Sequence, residues 1–254
     1  MKKIQFAIAT LAALCSSAAL ADAVISSMKG DVRIGSDAAI NTQRVFSGMT
    51  INTGAGAQAI LKFDDQQQVV LNENTTFRIA DFRYRAAEPR NDRAVFDLLQ
   101  GALRFISGVV GARNPNTVAL RVPQATIGIR GTDFMVVLVN PAYVNVVNGS
   151  IAATNSAGTV VFGPGSIGSI ASTSTLATVI PASALPGAAS GAFSNLAAAQ
   201  VTAAVTPAFA QGVAAGAATG AAVAPTAGIG AAVAVGVGAA IIGTAVRSDT
   251  TTQH

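Results

Sequence analysis

The carboxylates that could share a reaction stand at Asp64, Asp65, Glu73, Asp81, Asp92, Asp97 and Asp133. Two of them facing each other across a cleft, with pKa values driven apart, would give acid–base chemistry of the glycosidase kind. Most lie in turn-like strings beside Asn or Gln, where solvated side chains are expected, so no acid–base pair is assigned. Other chemistries lack their parts. The one Cys is Cys15 and the one His is His254, so neither a His/Cys zinc site nor a His-based triad can be assembled. No Asp-x-Asp-x-Asp-Gly string offers a calcium loop. Ser and Thr are plentiful between residues 148 and 180, but no Lys occurs from Phe134 onward to serve them as a base. Catalysis, a cofactor and a bound metal are not expected.

Arg130 is the more informative charge. It interrupts the apolar string Ala125-Thr126-Ile127-Gly128-Ile129-Arg130-Gly131-Thr132-Asp133-Phe134. A guanidinium there must reach solvent or find acceptors, because buried charges are normally paired. The favoured reading is structural: its fork of donors ties neighbouring turns together through Asp133 or backbone carbonyls. Contact with a ligand or partner is the other reading. Gly54, Gly101, Gly128 and Gly131 read as places where strands turn or pass closely.

The elements that must hold these residues are strands. In Gln58-Ala59-Ile60-Leu61-Lys62-Phe63, Ala59, Leu61 and Phe63 share one face and Lys62 the other. Polar turns at Asp64–Gln67 and Asn72–Asn74 separate this run from Val69–Leu71 and Phe77–Ile79. Further strands are predicted at Leu103–Phe105, Val118–Val122, Phe134–Val139, Val144–Val147, Ile151–Thr154 and Thr159–Phe162, with a turn at Asn155–Gly158. Short strands at this spacing indicate an all-β sandwich, barrel or solenoid over residues 22–180. Arg83 to Arg93 mixes both charge signs with Pro89 and reads as a solvated loop, the alternative being a patch for an anionic envelope component.

The 254 residues carry only 28 charged side chains, and none lies between Phe134 and Val246, a run of 113 residues. Charge-rich disorder is thereby excluded for that half. Residues 1–21 read as a signal peptide: Lys2-Lys3, an apolar run from Ile4 to Leu14, and an Ala19-Leu20-Ala21 exit. Removing Lys2 and Lys3 leaves 14 basic against 12 acidic residues, a net charge of +2. That balance and export argue against nucleic acid as a partner. Residues 181–226 form an Ala/Pro/Gly-rich linker or helical segment in which Gly212, Gly216 and Gly220 would share one helical face, a spacing that suits close helix packing. Residues 227–246 are uncharged and about 30 Å long as a helix, near a hydrocarbon thickness. Membrane insertion and packing on protein both stay open for this stretch, since Ala and Gly insert weakly.

The Ala125–Phe134 string, preceded by Val122-Pro123, resembles the signature of FecR-type periplasmic domains, named for the ferric-citrate regulator. Gly30-Asp31-Val32, Gly48-Met49-Thr50-Ile51-Asn52-Thr53-Gly54, Ala59-x-Leu61-x-Phe63-x-Asp65 and Leu99-x-Gly101-x-Leu103-Arg104 resemble its earlier pieces in order and spacing, over about residues 28 to 140. Gly128, Ile129, Arg130, Gly131, Thr132 and Phe134 carry the family motif. The resemblance implies a mainly β, solenoid- or roll-like domain, and the composition places an Ala/Gly-rich, helical tail after it. It also implies a signalling role in the envelope. Relatives pair the domain with a cytoplasmic segment that touches a sigma factor and with a small α/β domain that meets an outer-membrane receptor. Neither pattern is legible in this sequence, so sigma-factor control and ferric citrate are not expected. The expectation is a periplasmic interaction module, of a Gram-negative-type cell, binding an envelope protein or a cell-wall component. A structural protein that anchors or self-associates through its tail is the alternative.

Overall fold

The computed structural model describes residues 22–201. The chain enters with β1 (Ala23–Lys29), β2 (Val32–Ile34), β3 (Asp37–Ala38), β4 (Arg44–Val45), β5 (Thr50–Thr53), β6 (Gln58–Phe63), β7 (Gln68–Leu71) and β8 (Thr76–Arg83). There follow β9 (Arg93–Ile106), the one-turn helix α1 (Val109–Arg113), β10 (Val118–Val122), β11 (Ala125–Leu138) and β12 (Ala142–Asn155). Last come β13 (Gly158–Phe162), β14 (Ile167–Ile170), β15 (Thr178–Ile180) and helix α2 (Gly187–Ala198). The fold is mainly β, and all fifteen strands belong to one hydrogen-bonded network.

Three strands of 14 residues decide how that network is used. The first half of β9 pairs with β8 and β10, whereas its second half pairs with β7 and β11. β11 and β12 likewise split their pairing between two sets of neighbours. Each long strand breaks at a glycine in the left-handed region: Gly101 (φ 86°), Gly131 (φ 58°) and Gly149 (φ 74°). A side chain at Gly101 would also stand 2.6 Å from the Asn74 carbonyl oxygen, and one at Gly149 would collide with the Gly131 carbonyl. A Cβ is therefore excluded by both conformation and space at Gly101 and Gly149, and disfavoured by conformation alone at Gly131, which has open space around it.

The corners turn one sheet over onto itself. One half carries β2, β5, β8, the start of β9, β10, the start of β11, the end of β12 and β13. The other carries β1, β6, β7, the end of β9, the end of β11, the start of β12, β14 and β15. Phe63 of β6 meets Phe96 of β9 at 5.3 Å between ring centroids although their strand segments do not pair, so the halves face each other. Phe96 also touches Phe77 (5.7 Å) and Phe105 (5.6 Å), and Phe105 touches Phe134 (5.5 Å). Such ring pairs add about 0.5–1.5 kcal/mol each beyond the area they bury.

A second apolar cluster lies on the outer side of the second half. Ile60, Val70, Ala102, Met135, Val137 and Tyr143 are covered there by Ala189, Phe193 and Leu196 of α2. The spacing of those three puts them on one helical stripe. Alternation in β6 is as expected toward the core, with Ala59, Leu61 and Phe63 inward, while Ile60 is buried beneath α2. The Ala/Pro/Gly-rich segment thus begins with a helix packed on the β-domain, beyond the residue-180 boundary. Gly212, Gly216, Gly220 and residues 227–246 lie outside the described residues. Among the described residues no helix is long and apolar enough to cross a membrane.

Candidate functional site: an open, arginine-bearing sheet face

Among the described residues, no such helix covers the outer side of the first half. Its strands put Phe77, Ile79, Phe96, Leu98, Leu120 and Ile127 into the core, so the residues between them point outward. Strand register lines up six of these outward residues: Arg78 opposite Asp97, Asp97 beside Arg121, Arg121 opposite Thr126, Thr126 opposite Thr154, and Thr154 opposite Thr159. At about 4.8 Å between strands, the row spans about 24 Å. The next outward row, Val95, Ala119, Gly128, Ala152 and Val161, is built mostly of small residues and leaves a shallow trough beside it.

Carboxylates hold the arginines in place. Asp97 accepts from Arg78 Nε at 2.8 Å through Oδ2 and from Arg121 Nε at 2.6 Å through Oδ1. The same device recurs along β8, where Asp81 takes Arg83 at 3.0 Å and Arg93 at 2.9 Å. Each Asp is shared by two guanidiniums, so every Arg keeps free donors and the face keeps a surplus of positive charge. Arg78 and Arg121 remain about half exposed, at 46% and 49%, while Asp97 is sunk beneath them at 9%. The Thr154 and Thr159 hydroxyls are 2.9 Å apart and continue the line as neutral donors and acceptors.

The motif residues divide between this face and the fold. Ile129 and Phe134 are core, Gly128 lies in the trough row, and Gly131 is a corner. Thr132 is buried and clipped to Ser107: its N–H donates to Ser107 Oγ at 2.8 Å and its carbonyl accepts from Ser107 N–H at 2.9 Å. The expected fork from Arg130 to Asp133 is not formed. Arg104 takes Asp133 instead, Nε to Oδ1 at 2.9 Å and the terminal nitrogen to Oδ2 at 2.6 Å. The bulge at Gly131 sets Arg130 on the open face and Asp133 beyond the corner, so the two cannot meet. Arg130 is exposed and makes no ion pair among the described residues. The hydrogen bond that Arg104 donates to Asp133 pushes its guanidinium further above its ordinary value, against the opposing effect of burial.

The carboxylates are less solvated than turn-like surroundings suggested. Asp65, Asp92 and Asp97 are buried. Asp65 accepts from the Gln67 and Val110 N–H groups at 3.0 and 3.1 Å, and burial pushes its carboxyl upward. Asp92 binds Arg113 at 2.6 Å, and Arg113 lies 5.0 Å over the Tyr84 ring, which pins the 84–92 loop to α1. That loop is therefore anchored rather than simply solvated. A cleft of about 460 Å³ lies beside it, lined by Asp22, Asp64, Arg83, Tyr84, Arg85 and Glu88 among others. Burial first, then Asp22, push the Asp64 carboxyl upward, with Arg44 acting against them. No group of three or more metal-ligating side chains occurs among the described residues.

The family model "FecR protein" matches residues 49–152. The match takes in β5 to most of β12, including the Arg130 corner, and leaves Gly30-Asp31-Val32 outside it. Two crystal structures, both described as a candidate anti-sigma factor from Parabacteroides distasonis, resemble the fold at 15% and 16% identity, each with a TM-score of 0.42. Each alignment covers 52% of this chain and 58% of that chain, so the likeness spans little more than half of their length. No curated protein matches the chain.

Proposed function

We propose that this chain, whose residues 49–152 are a FecR domain, is a non-enzymatic signalling and interaction module of the cell envelope. The observation that carries this reading is the contrast between the two outer faces. One is apolar and covered by Ala189, Phe193 and Leu196, whereas the other is open and carries ordered arginines. A face with side chains held in place, on which none of the described residues packs, is suited to a partner, because little ordering remains to be done on binding. The partner is an envelope protein or a cell-wall component. The basic leader at Lys2-Lys3 supports export to the periplasm. The folding-over at Gly101, Gly131 and Gly149 supports a roll-like description of the domain, and α2 supports a helical start to the tail.

A photo-crosslinking residue placed at Thr126, in the full chain expressed in intact cells, tests this. Adducts from Thr126 but not from Ser194, on the exposed side of α2, are the expected outcome. Equal yields from both, no adducts, or recovery of the chain in the cytoplasm would overturn it.

A further inference from the structure

We infer that the occupant of the open face is an extended, carboxylate-bearing glycan lying along the Arg78–Thr159 row. This rests on the open face being the binding surface and adds the chemical class of what binds there. Charge gives the first argument. On β8 to β11, Arg78, Arg83, Arg93, Arg121 and Arg130 face outward against Asp81 and Asp97, and both carboxylates are already shared between two arginines; Arg33 on β2 at the edge is matched by Asp31. The remaining guanidinium donors form planar forks that match a carboxylate.

Shape and neutral chemistry give the second. Beyond Arg121 the row continues as Thr126, Thr154 and Thr159, all exposed hydroxyls in register on adjacent strands. A ligand that follows the row must offer carboxylates at one end and hydroxyl-bearing units along the rest, which is the composition of an acidic sugar chain. The trough at Ala119, Gly128 and Ala152 leaves room for a narrow polymer beside the row. Protein interfaces centre on aromatic and arginine anchors, and this face has the arginines but no exposed aromatic among the described residues. Leu99 and Val161 are the exposed large hydrophobics of this face, and they stand toward its margins.

The test is titration of the full chain with polygalacturonate, with neutral dextran and polyglutamate as comparison ligands. Polygalacturonate is expected to bind, more weakly as salt rises, with dextran silent and polyglutamate at least roughly tenfold weaker. Arg78→Gln with Arg121→Gln is expected to lower affinity about tenfold or more, since hydrogen bonds to charged groups are the strong ones. That pair leaves Asp97 without partners, so a second variant keeps the test open should the first lose its fold. Thr126→Val, Thr154→Val and Thr159→Val together alter only exposed hydroxyls and are expected to weaken binding several-fold at unchanged thermal stability. No binding of polygalacturonate, equal binding of polyglutamate, or a Thr variant that binds as the parent does would overturn the glycan. Protein adducts at Thr126 alongside silence toward polygalacturonate would do so while leaving the interaction module standing. Absence of any adduct would remove both.

Discussion

Asp133 is bound by Arg104, 29 residues earlier in the chain, through two parallel hydrogen bonds, and not by Arg130 three residues before it. The pair lies just past the Gly131 corner, with the two side chains only 14% and 15% exposed. Removing one partner from a paired, largely buried couple leaves the other charge unsatisfied. Arg104→Gln is therefore expected to destabilise the domain by about 2–4 kcal/mol, and Arg130→Gln by less than about 0.5 kcal/mol, as for an exposed side chain. Urea denaturation of the two variants checks this. A larger loss for Arg130→Gln than for Arg104→Gln would reverse the assignment.

Gly101 marks the change of pairing partners along β9. With φ at 86° and the Asn74–Thr75 backbone against the missing Cβ, alanine is strained and crowded at once. Gly101→Ala should cost about 2–4 kcal/mol, combining left-handed strain with overpacking. Gly128→Ala, at a position with ordinary contacts and room for a Cβ, should be nearly neutral. Thermal unfolding of the two glycine variants side by side gives the comparison.

Phe96 sits where rings from both halves of the folded sheet meet. Phe96→Ala should cost about 3–5 kcal/mol, the range for deleting a buried aromatic ring. Denaturant midpoints measure it, and a loss under about 1 kcal/mol would mean that the halves do not share this core.

Helix α2 covers the second half with three side chains and has no side-chain N-cap. Phe193→Asp should detach it, exposing Met135, Val137 and Tyr143 to solvent. Increased binding of a hydrophobic dye, with strand content by circular dichroism unchanged, is the expected result. An unaltered dye signal would show that α2 does not seal this face.

Asp65 supplies a pH effect of definite sign. Its carboxyl is pushed up from 3.8 chiefly by burial, so the folded state binds its proton more readily than the unfolded chain does. The cost of burying its charge is present at neutral pH and is relieved as pH falls through the raised value. The stability of the parent relative to Asp65→Asn should therefore rise on acidification. Denaturation series from pH 7 to the acid side test the slope, and a parent that loses stability relative to Asp65→Asn as pH falls would contradict the assignment.

Much of this fold is legible one strand at a time. Val118–Val122 is a strand as its pattern predicts, and Asn155–Gly158 is the turn between β12 and β13. Alternation in Ala59–Phe63 points the right residues inward because a strand's period is local. The uninterrupted apolar runs at Val69–Leu71 and Met135–Leu138 also held a signal, since strands buried on both faces lose alternation. They mark the half that α2 covers. The Arg78–Thr159 row was not legible, because Arg78, Arg121 and Thr159 are brought into line only by the register of six strands.

The residue types and their order therefore determined the β class, the absence of cysteine and histidine chemistry from residues 22–201, the FecR resemblance and two of the three corner glycines, Gly101 and Gly131, but not Gly149. These follow from local sterics and from composition, which act on neighbours in the chain. Only the tertiary structure decided which carboxylate each arginine meets and which outer face stays open. Those outcomes depend on where a sheet folds back and on what packs against it, and contacts such as Arg78–Asp97 and Arg104–Asp133, 19 and 29 positions apart, carry no local periodicity from which to read them.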